Sequence, residues 1–261
     1  MEHRARKRFG QNFLHDPHYV RSCIDAIAPQ PGENLVEIGP GLGALTEPLL
    51  ARVPHLHVVE IDRDLIARLQ QRHPPQHLTI HAGDALKFDF GNLGDGLRII
   101  GNLPYNISTP LLFHLCHFVE QIRDLHFMLQ KEVVMRMVAA PSTPDYGRLS
   151  VMLGYRFDME RLFDVPGGAF QPPPKVTSAF VRMRPHSPLP HPAQDEILFA
   201  KIVATAFSTR RKTLRNALKP FFSAADFERL GIDGGLRAEN LGIAEFVLLA
   251  NAATERGGDG A

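Results

Sequence analysis

Residues Arg98 to Ser108 read RIIGNLPYNIS. An apolar run passes directly into an amide (Asn102), a peptide carbonyl (Leu103), a proline (Pro104) and a phenol ring (Tyr105). Proline cannot donate to a sheet ladder, so a strand-ending turn alone accounts for Pro104. The same four residues could also hold a flat, amine-bearing ring. Asn102 and the Leu103 carbonyl would supply neutral acceptors, Tyr105 an aromatic face, and Pro104 a stiffened loop.

A second constellation lies upstream. Val36 to Thr46, VEIGPGLGALT, has the pattern of a strand, a glycine-rich turn and a helix start. Glycines let the backbone turn tightly and let a ligand approach without a Cβ in the way. The stretch fits the relaxed dinucleotide pattern GxGxxA through Gly39, Gly41 and Ala44, and it fits a plain strand-to-helix turn equally well. Glu60 follows Gly39 by 21 residues at the end of the next apolar run, where a carboxylate can accept both hydroxyls of a ribose. Asp84, in GDA, ends the third run and can accept from an adenine amine; Asn102 ends the fourth.

These groups need a scaffold. NLVEIG, HLHVVEID, LTIHAGD, LRIIGNL and DLHFMLQ read as short strands over residues 34–39, 55–62, 78–84, 97–103 and 124–130. Helix-like segments such as RDLIARLQQR and TPLLFHLCHFV separate most of them, while 86–96 is loop-like. Strand–helix alternation predicts a parallel sheet covered on both faces, with its ligand at the carboxyl edge. DPHYVRSCIDAIA predicts a helix capped by Asp16 with Pro17 at its first position. Residues 157–165 and 177–185 read as two more strands forming an antiparallel edge. HSPLPHPA, from His186, has three prolines in eight residues and predicts a linker. The expected division is therefore 1–189 and 190–261, the second part helical to about Ala253 with TERGGDGA as a frayed tail.

Composition narrows the classes. The chain has 261 residues, 44% of them hydrophobic, enough for a real core. Net charge is +1, so no global field marks a polyanionic partner. Local charge does: RARKR (Arg4 to Arg8) holds four cations in five residues, and Ile197 to Lys219 holds six Lys/Arg with no Asp or Glu. Either patch alone is also compatible with a solvated face. In FSTRRKTLRNALKPFF, read as one helix, Arg211, Arg215 and Lys219 fall at i, i+4 and i+8 on one stripe, with Leu214 and Leu218 on another. Two isolated cysteines suit a reducing, cytoplasmic setting and give neither a disulfide framework nor a zinc site. Thirteen histidines form no metal-ligating pattern, and no run approaches a membrane span or a secretory signal.

NLPY resembles the (N/D/S)-(P/L/I)-P-(Y/F) motif of S-adenosylmethionine-dependent methyltransferases that act on exocyclic amines of bases. Together with GQNFL, EIGPGLGALT, GDAL, GNLPYNIS, FQPPPKVTSAF and RRKTLRNAL, from about Arg8 to beyond Leu218, the chain resembles the bacterial small-subunit ribosomal RNA adenine-N6,N6-dimethyltransferase family. The resemblance implies a Rossmann-like class I methyltransferase domain over 1–189 and a small helical RNA-binding domain over 190–261. It implies S-adenosylmethionine as cofactor, touched by Asn12, Leu14, Gly39, Gly41, Glu60, Ile61, Asp84 and Asn102. Asn102, Leu103, Pro104 and Tyr105 become the catalytic motif. Phe180 becomes a second aromatic for the flipped adenine, although as a residue it also reads as strand core. Arg211, Lys212, Arg215 and Lys219 become RNA contacts. The partner is small-subunit ribosomal RNA or a pre-30S particle, met by a cytoplasmic monomer without metal or membrane. Two rivals stand beside this reading: a large-subunit RNA methyltransferase of the erythromycin-resistance type, and an RNA-binding or transcription-factor protein on a retired methyltransferase fold.

Overall fold

Nearly uninterrupted apolar strands are what a sheet covered on both faces requires. In the computed structural model, which describes residues 11–209 and 211–258, the chain divides into two units. The basic tail at Arg4 to Arg8 lies outside the described residues.

The first unit comprises residues 1–134 and 158–185. In chain order its main elements are β1 (Phe13–Leu14), α1 (Pro17–Ile27), β2 (Asn34–Ile38), α2 (Thr46–Leu50), β3 (Leu56–Glu60), α3 (Arg63–Arg72), β4 (Leu78–Ala82), β5 (Leu97–Asn102), α4 (Ser108–Leu115), β6 (Ile122–Gln130), β7 (Phe157–Val165), β8 (Phe170–Gln171) and β9 (Ser178–Pro185). Seven strands form one sheet in the order β4-β3-β2-β5-β6-β9-β7. β2 through β6 pair in parallel, and β9 pairs antiparallel with β6. The chain thus builds outward from β2 to β4, returns, and continues on β2's other side with β5 and β6. That reversal makes a crevice at the carboxyl ends of β2 and β5.

Side chains at the sheet centre, among them Val36, Val58, Ile99 and Phe127, are wholly buried. α1 begins as its sequence dictates: Asp16 accepts from the His18 N–H at 2.8 Å, and Pro17 opens the helix. β1 and β8 form a separate antiparallel ribbon, Phe13 opposite Gln171 and Leu14 opposite Phe170, which ties down the N-terminal arm. One ionic network crosses the base of the sheet. Arg98 on β5 gives Nε to Asp124 of β6 at 3.0 and 3.1 Å, Nη2 to the Ile27 carbonyl at 2.7 Å, and Nη1 to Glu33.

The second unit comprises residues 135–157 and 186–261, so it takes in a segment N-terminal to the expected boundary at 190. Its helices are α6 (Arg148–Arg156), α7 (Glu196–Ala206), α8 (Leu214–Ala217), α9 (Ala224–Arg229) and α10 (Ile243–Gly258); α5 (Lys131–Met137) runs into it from β6. Residues 135–157 group here because Tyr146, Val151 and Tyr155 share one core with Phe199, Val203, Leu214 and Phe246. The Tyr146 hydroxyl also donates to the Leu241 carbonyl at 2.8 Å.

Two expectations need correction. The basic stretch is not one helix. α7 stops at Ala206, Thr213 is extended, and only the single turn of α8 follows. Ser208 donates to the Thr205 carbonyl at 2.7 Å, the local competition by which such hydroxyls end helices. Nor is the tail frayed from Thr254, since α10 continues to Gly258. Arg256 holds it by donating to Asp226 at 2.7 Å.

Candidate active site

The carboxyl ends of β2, β3, β4 and β5 open on one cavity of about 260 Å³. β2 contributes Gly39 and Gly41, β3 contributes Glu60 and Ile61, β4 contributes Asp84, and β5 contributes Asn102 through Tyr105; Asn12 and Leu14 close the wall from the N-terminal arm. Eleven sequence-predicted positions therefore share one cavity. At Gly41, φ is +58° and an added Cβ would sit 3.0 Å from the Phe13 ring, so only glycine lets arm and turn close on each other.

Glu60 is 5% exposed and reaches back over its own strand end. Its Oε1 accepts from the backbone N–H groups of Ile61 (2.9 Å) and Asp62 (2.8 Å), and its Oε2 accepts from Gly41 at 3.4 Å. Burial raises its pKa above the ordinary carboxylate value, and these three N–H groups work against the rise. Oε1 is thus saturated, while Oε2 keeps capacity for a ligand hydroxyl. Asp84 spends Oδ1 on the Leu86 N–H at 3.0 Å, an Asx turn that orients the carboxylate at the rim.

Asn102 donates Nδ2 to the Asn12 carbonyl at 2.8 Å. A carbonyl accepts only, so this contact fixes which end of the amide is nitrogen and turns Oδ1 the other way. Leu103 is anchored by its N–H on the Met128 carbonyl at 3.2 Å. After Pro104 the chain turns, with the Ile107 N–H on the Pro104 carbonyl at 3.1 Å, and Ser108 Oγ donates to the Tyr105 carbonyl at 3.0 Å. The Tyr105 hydroxyl meets Ser178 Oγ at 2.7 Å.

Two participants escaped the reading of the sequence. Glu37, only 2% exposed, also lines the cavity, and its Oε2 accepts from Thr46 Oγ1 at 2.6 Å. Burial pushes its pKa up to about 7, the Glu60 charge adds to the rise, and the Thr46 hydrogen bond opposes it. A carboxylate inside VEIGPG, an otherwise apolar strand, was the available signal. Ser178 is the other, and only its partner 73 residues away gives it meaning.

Phe180 is not brought to the cavity. It is fully buried in the sheet core with Leu14, Met128 and Phe170, its ring 5.3 Å from that of Phe163. The cause is register: Ser178 lies opposite Gln130 at the carboxyl edge of β6, whereas Phe180 lies opposite Met128, two residues further in. In this structure the Phe180 ring serves as core packing beside Leu14, which itself lines the cavity. Arg211, Lys212, Arg215 and Lys219 belong to the second unit, and all four are exposed.

The polar lining of the cavity is one-sided. Glu37, Glu60 and Asp84 face it, and no Lys or Arg does among the described residues. A cationic, hydroxyl-bearing nucleoside suits this lining.

Comparison with known proteins agrees. The model of the family described as Ribosomal RNA adenine dimethylase matches residues 2–255. The chain belongs to that family. Among its relatives, a protein named Ribosomal RNA small subunit methyltransferase A from Aromatoleum aromaticum is 66% identical over 250 residues, covering 96% of this chain and 94% of the relative. One of the same name from Thiobacillus denitrificans is 66% identical over 244 residues, with 94% and 96% covered. The crystal structure of a dimethyladenosine transferase from Plasmodium falciparum superposes with a TM-score of 0.83 at 25% identity, covering 94% of this chain and 98% of that one. The adenine dimethylase family thus carries the Rossmann-like α/β fold seen here. Among the described residues no helix is long and apolar enough to cross a membrane, and no cluster of three His, Cys, Asp or Glu side chains is arranged to hold a metal ion.

Proposed function

We propose that this chain transfers methyl groups from S-adenosylmethionine to the N6 amines of two adjacent adenosines in small-subunit ribosomal RNA, giving N6,N6-dimethyladenosine. The observation that carries the reading is the meeting, in one acidic cavity, of the Glu60 and Asp84 carboxylates with the Asn102–Tyr105 motif. S-adenosylmethionine, when bound, supplies an electrophilic sulfonium methyl.

Glu60 Oε2 accepts from the ribose, and Asp84 accepts from the cofactor's adenine amine. Gly39 and Gly41 give backbone access to its methionine portion, and Asn12, Leu14 and Ile61 enclose it. Asn102 Oδ1 and the Leu103 carbonyl take the two hydrogens of the target amine, whose lone pair is otherwise delocalised into the ring. Both acceptors are neutral, so they orient the amine rather than deprotonate it, and the proton displaced by each methyl leaves to solvent after transfer. Tyr105 stacks on the extruded base, a contact worth roughly 1–3 kcal/mol, comparable with the few kcal/mol needed to unstack it. Pro104 stiffens the loop that carries both. Arg211, Lys212, Arg215 and Lys219 contact RNA phosphates, working in the cytoplasm on a pre-30S particle with the enzyme as a monomer and without metal.

The test is methyl transfer from labelled S-adenosylmethionine to under-methylated small subunits, with the modified nucleoside identified. N6,N6-dimethyladenosine is the expected product. Cofactor binding without transfer would favour an RNA-binding role, and methylation confined to large-subunit RNA would favour the resistance-type activity.

A further inference from the structure

Tyr105 is fixed at both ends. Its backbone sits in the Pro104–Ile107 turn, with its carbonyl held by Ser108 Oγ at 3.0 Å. Its phenol hydroxyl meets Ser178 Oγ at 2.7 Å. From this geometry we infer that Ser178 is a positioning residue for methyl transfer: its hydroxyl holds the Tyr105 ring at the angle from which the ring presents its face to the target adenine. The inference rests on the reading that Tyr105 stacks on that base.

Three features support it. Ser178 is wholly buried, so its hydroxyl needs a protein partner. It stands on a rigid element, opposite Gln130 in the β6–β9 pair, and the preceding carbonyl of Thr177 accepts from the Lys131 N–H at 2.9 Å. Tyr105 itself lines the cavity and is only partly buried, so packing does not enclose its ring. A phenylalanine there could be immobilised only by covering its faces, one of which the substrate base needs. A hydroxyl tether fixes the ring from its edge and leaves the face open. Burial also raises the phenol pKa from its ordinary value, against the lowering effect of the Ser178 hydrogen bond.

The inference is tested by single-turnover methylation of under-methylated small subunits at saturating RNA and cofactor. The variants are Ser178→Ala, Tyr105→Phe, the double variant and Tyr105→Ala. A swinging ring misplaces the base, so Ser178→Ala is expected to slow the step about tenfold with little change in KM for the subunit. Tyr105→Phe should show the same deficit, and the double variant should be no slower than either single one, since all three lose one tether. In protein labelled with 3-fluorotyrosine, the Tyr105 resonance, assigned by its loss in Tyr105→Phe, should sharpen or shift in Ser178→Ala as the ring begins to flip. A purely structural role for Ser178 would lower stability and leave rate and resonance alone. Should Ser178→Ala not fold, the double variant carries the test, because it leaves neither hydroxyl unpaired. A double variant at wild-type rate would overturn the inference. So would a fast Ser178→Ala beside a slow Tyr105→Ala, and that result would leave the stacking role of Tyr105 intact. Wild-type rate in Tyr105→Ala would instead remove the stacking role itself.

Discussion

At the scale of single residues, the cavity is governed by two buried carboxyls with different duties. Glu60 combines three backbone N–H donors with an oxygen that retains acceptor capacity. Replacing it by alanine removes charge-assisted hydrogen bonds worth about 1.5–3 kcal/mol to the ligand. Calorimetry should show S-adenosylmethionine affinity falling roughly 10- to 150-fold, with RNA affinity little changed; unchanged cofactor affinity in a folded Glu60→Ala protein would refute the ribose assignment. Glu37 titrates instead. Its folded pKa of about 7 lies above the 4.5 of an exposed glutamate, so between those values the native state holds a proton the unfolded chain has released. Stability contributed by this group is therefore full below pH ~4.5 and lost as pH rises toward about 7. Each pH unit is worth about 1.4 kcal/mol, which makes the loss on the order of 3 kcal/mol. Glu37→Gln stays neutral and can still accept from Thr46. Its stability relative to wild type should climb across that window, as denaturant unfolding at a series of pH values will show; parallel curves would mean Glu37 is ionised in the native state at all of them.

At the scale of elements, Arg98 shows how the site's scaffold is held. It joins β5 to β6, the end of α1 and Glu33, and its side chain is 7% exposed. Burial tends to raise the Asp124 pKa, but the His126 imidazole, with Nδ1 3.3 Å away, and the Arg98 hydrogen bonds hold it below the ordinary value. Arg98→Met would leave Asp124 and Glu33 without their shared cation, a loss of about 3–5 kcal/mol for breaking a buried pair from one side. Urea unfolding should report it as a lowered midpoint with an unchanged slope. The five parallel strands were legible in sequence as short apolar runs; four of them close on Gly, Asp or Asn, at ends that already named Gly39, Glu60, Asp84 and Asn102, while β6 ends at Gln130. What was not legible depends on neighbours distant in sequence. The charged periodicity of 207–222 suggested one helix, but the hydroxyls of Thr205 and Ser208 and the extended Thr213 decided otherwise. Leu214 and Leu218 are nonetheless both buried, as their four-residue spacing implied. Phe180 and Ser178 point to the same face of β9, and only the register against β6 determines which of them stands at the carboxyl edge of β6, within reach of Tyr105.

At the scale of the whole molecule, charge is separated rather than abundant. Net charge is +1, the cavity lining is acidic, and exposed cations gather in the second unit at Arg211, Lys212, Arg215 and Lys219. A nearly neutral protein has little long-range field with which to attract RNA, so affinity must come from phosphates neutralised locally. Although these residues do not form the stripe of a single helix, phosphate contact requires only exposure and reach, which a turn on either side of α8 supplies. Each phosphate contact releases condensed counterions and adds about 0.7–0.9 to the slope of log affinity against log salt. Changing Arg211, Arg215 and Lys219 together to glutamine should therefore flatten the slope for small-subunit binding by roughly 2–3. The loss of affinity should be greatest at low salt and shrink as salt rises, while S-adenosylmethionine affinity, set in the first unit, stays at its wild-type value. Filter binding across a salt series, with calorimetry of the cofactor on the same preparations, separates the two effects. A slope equal to wild type would make these three side chains a solvated face and move the search for phosphate contacts to other cations of the chain.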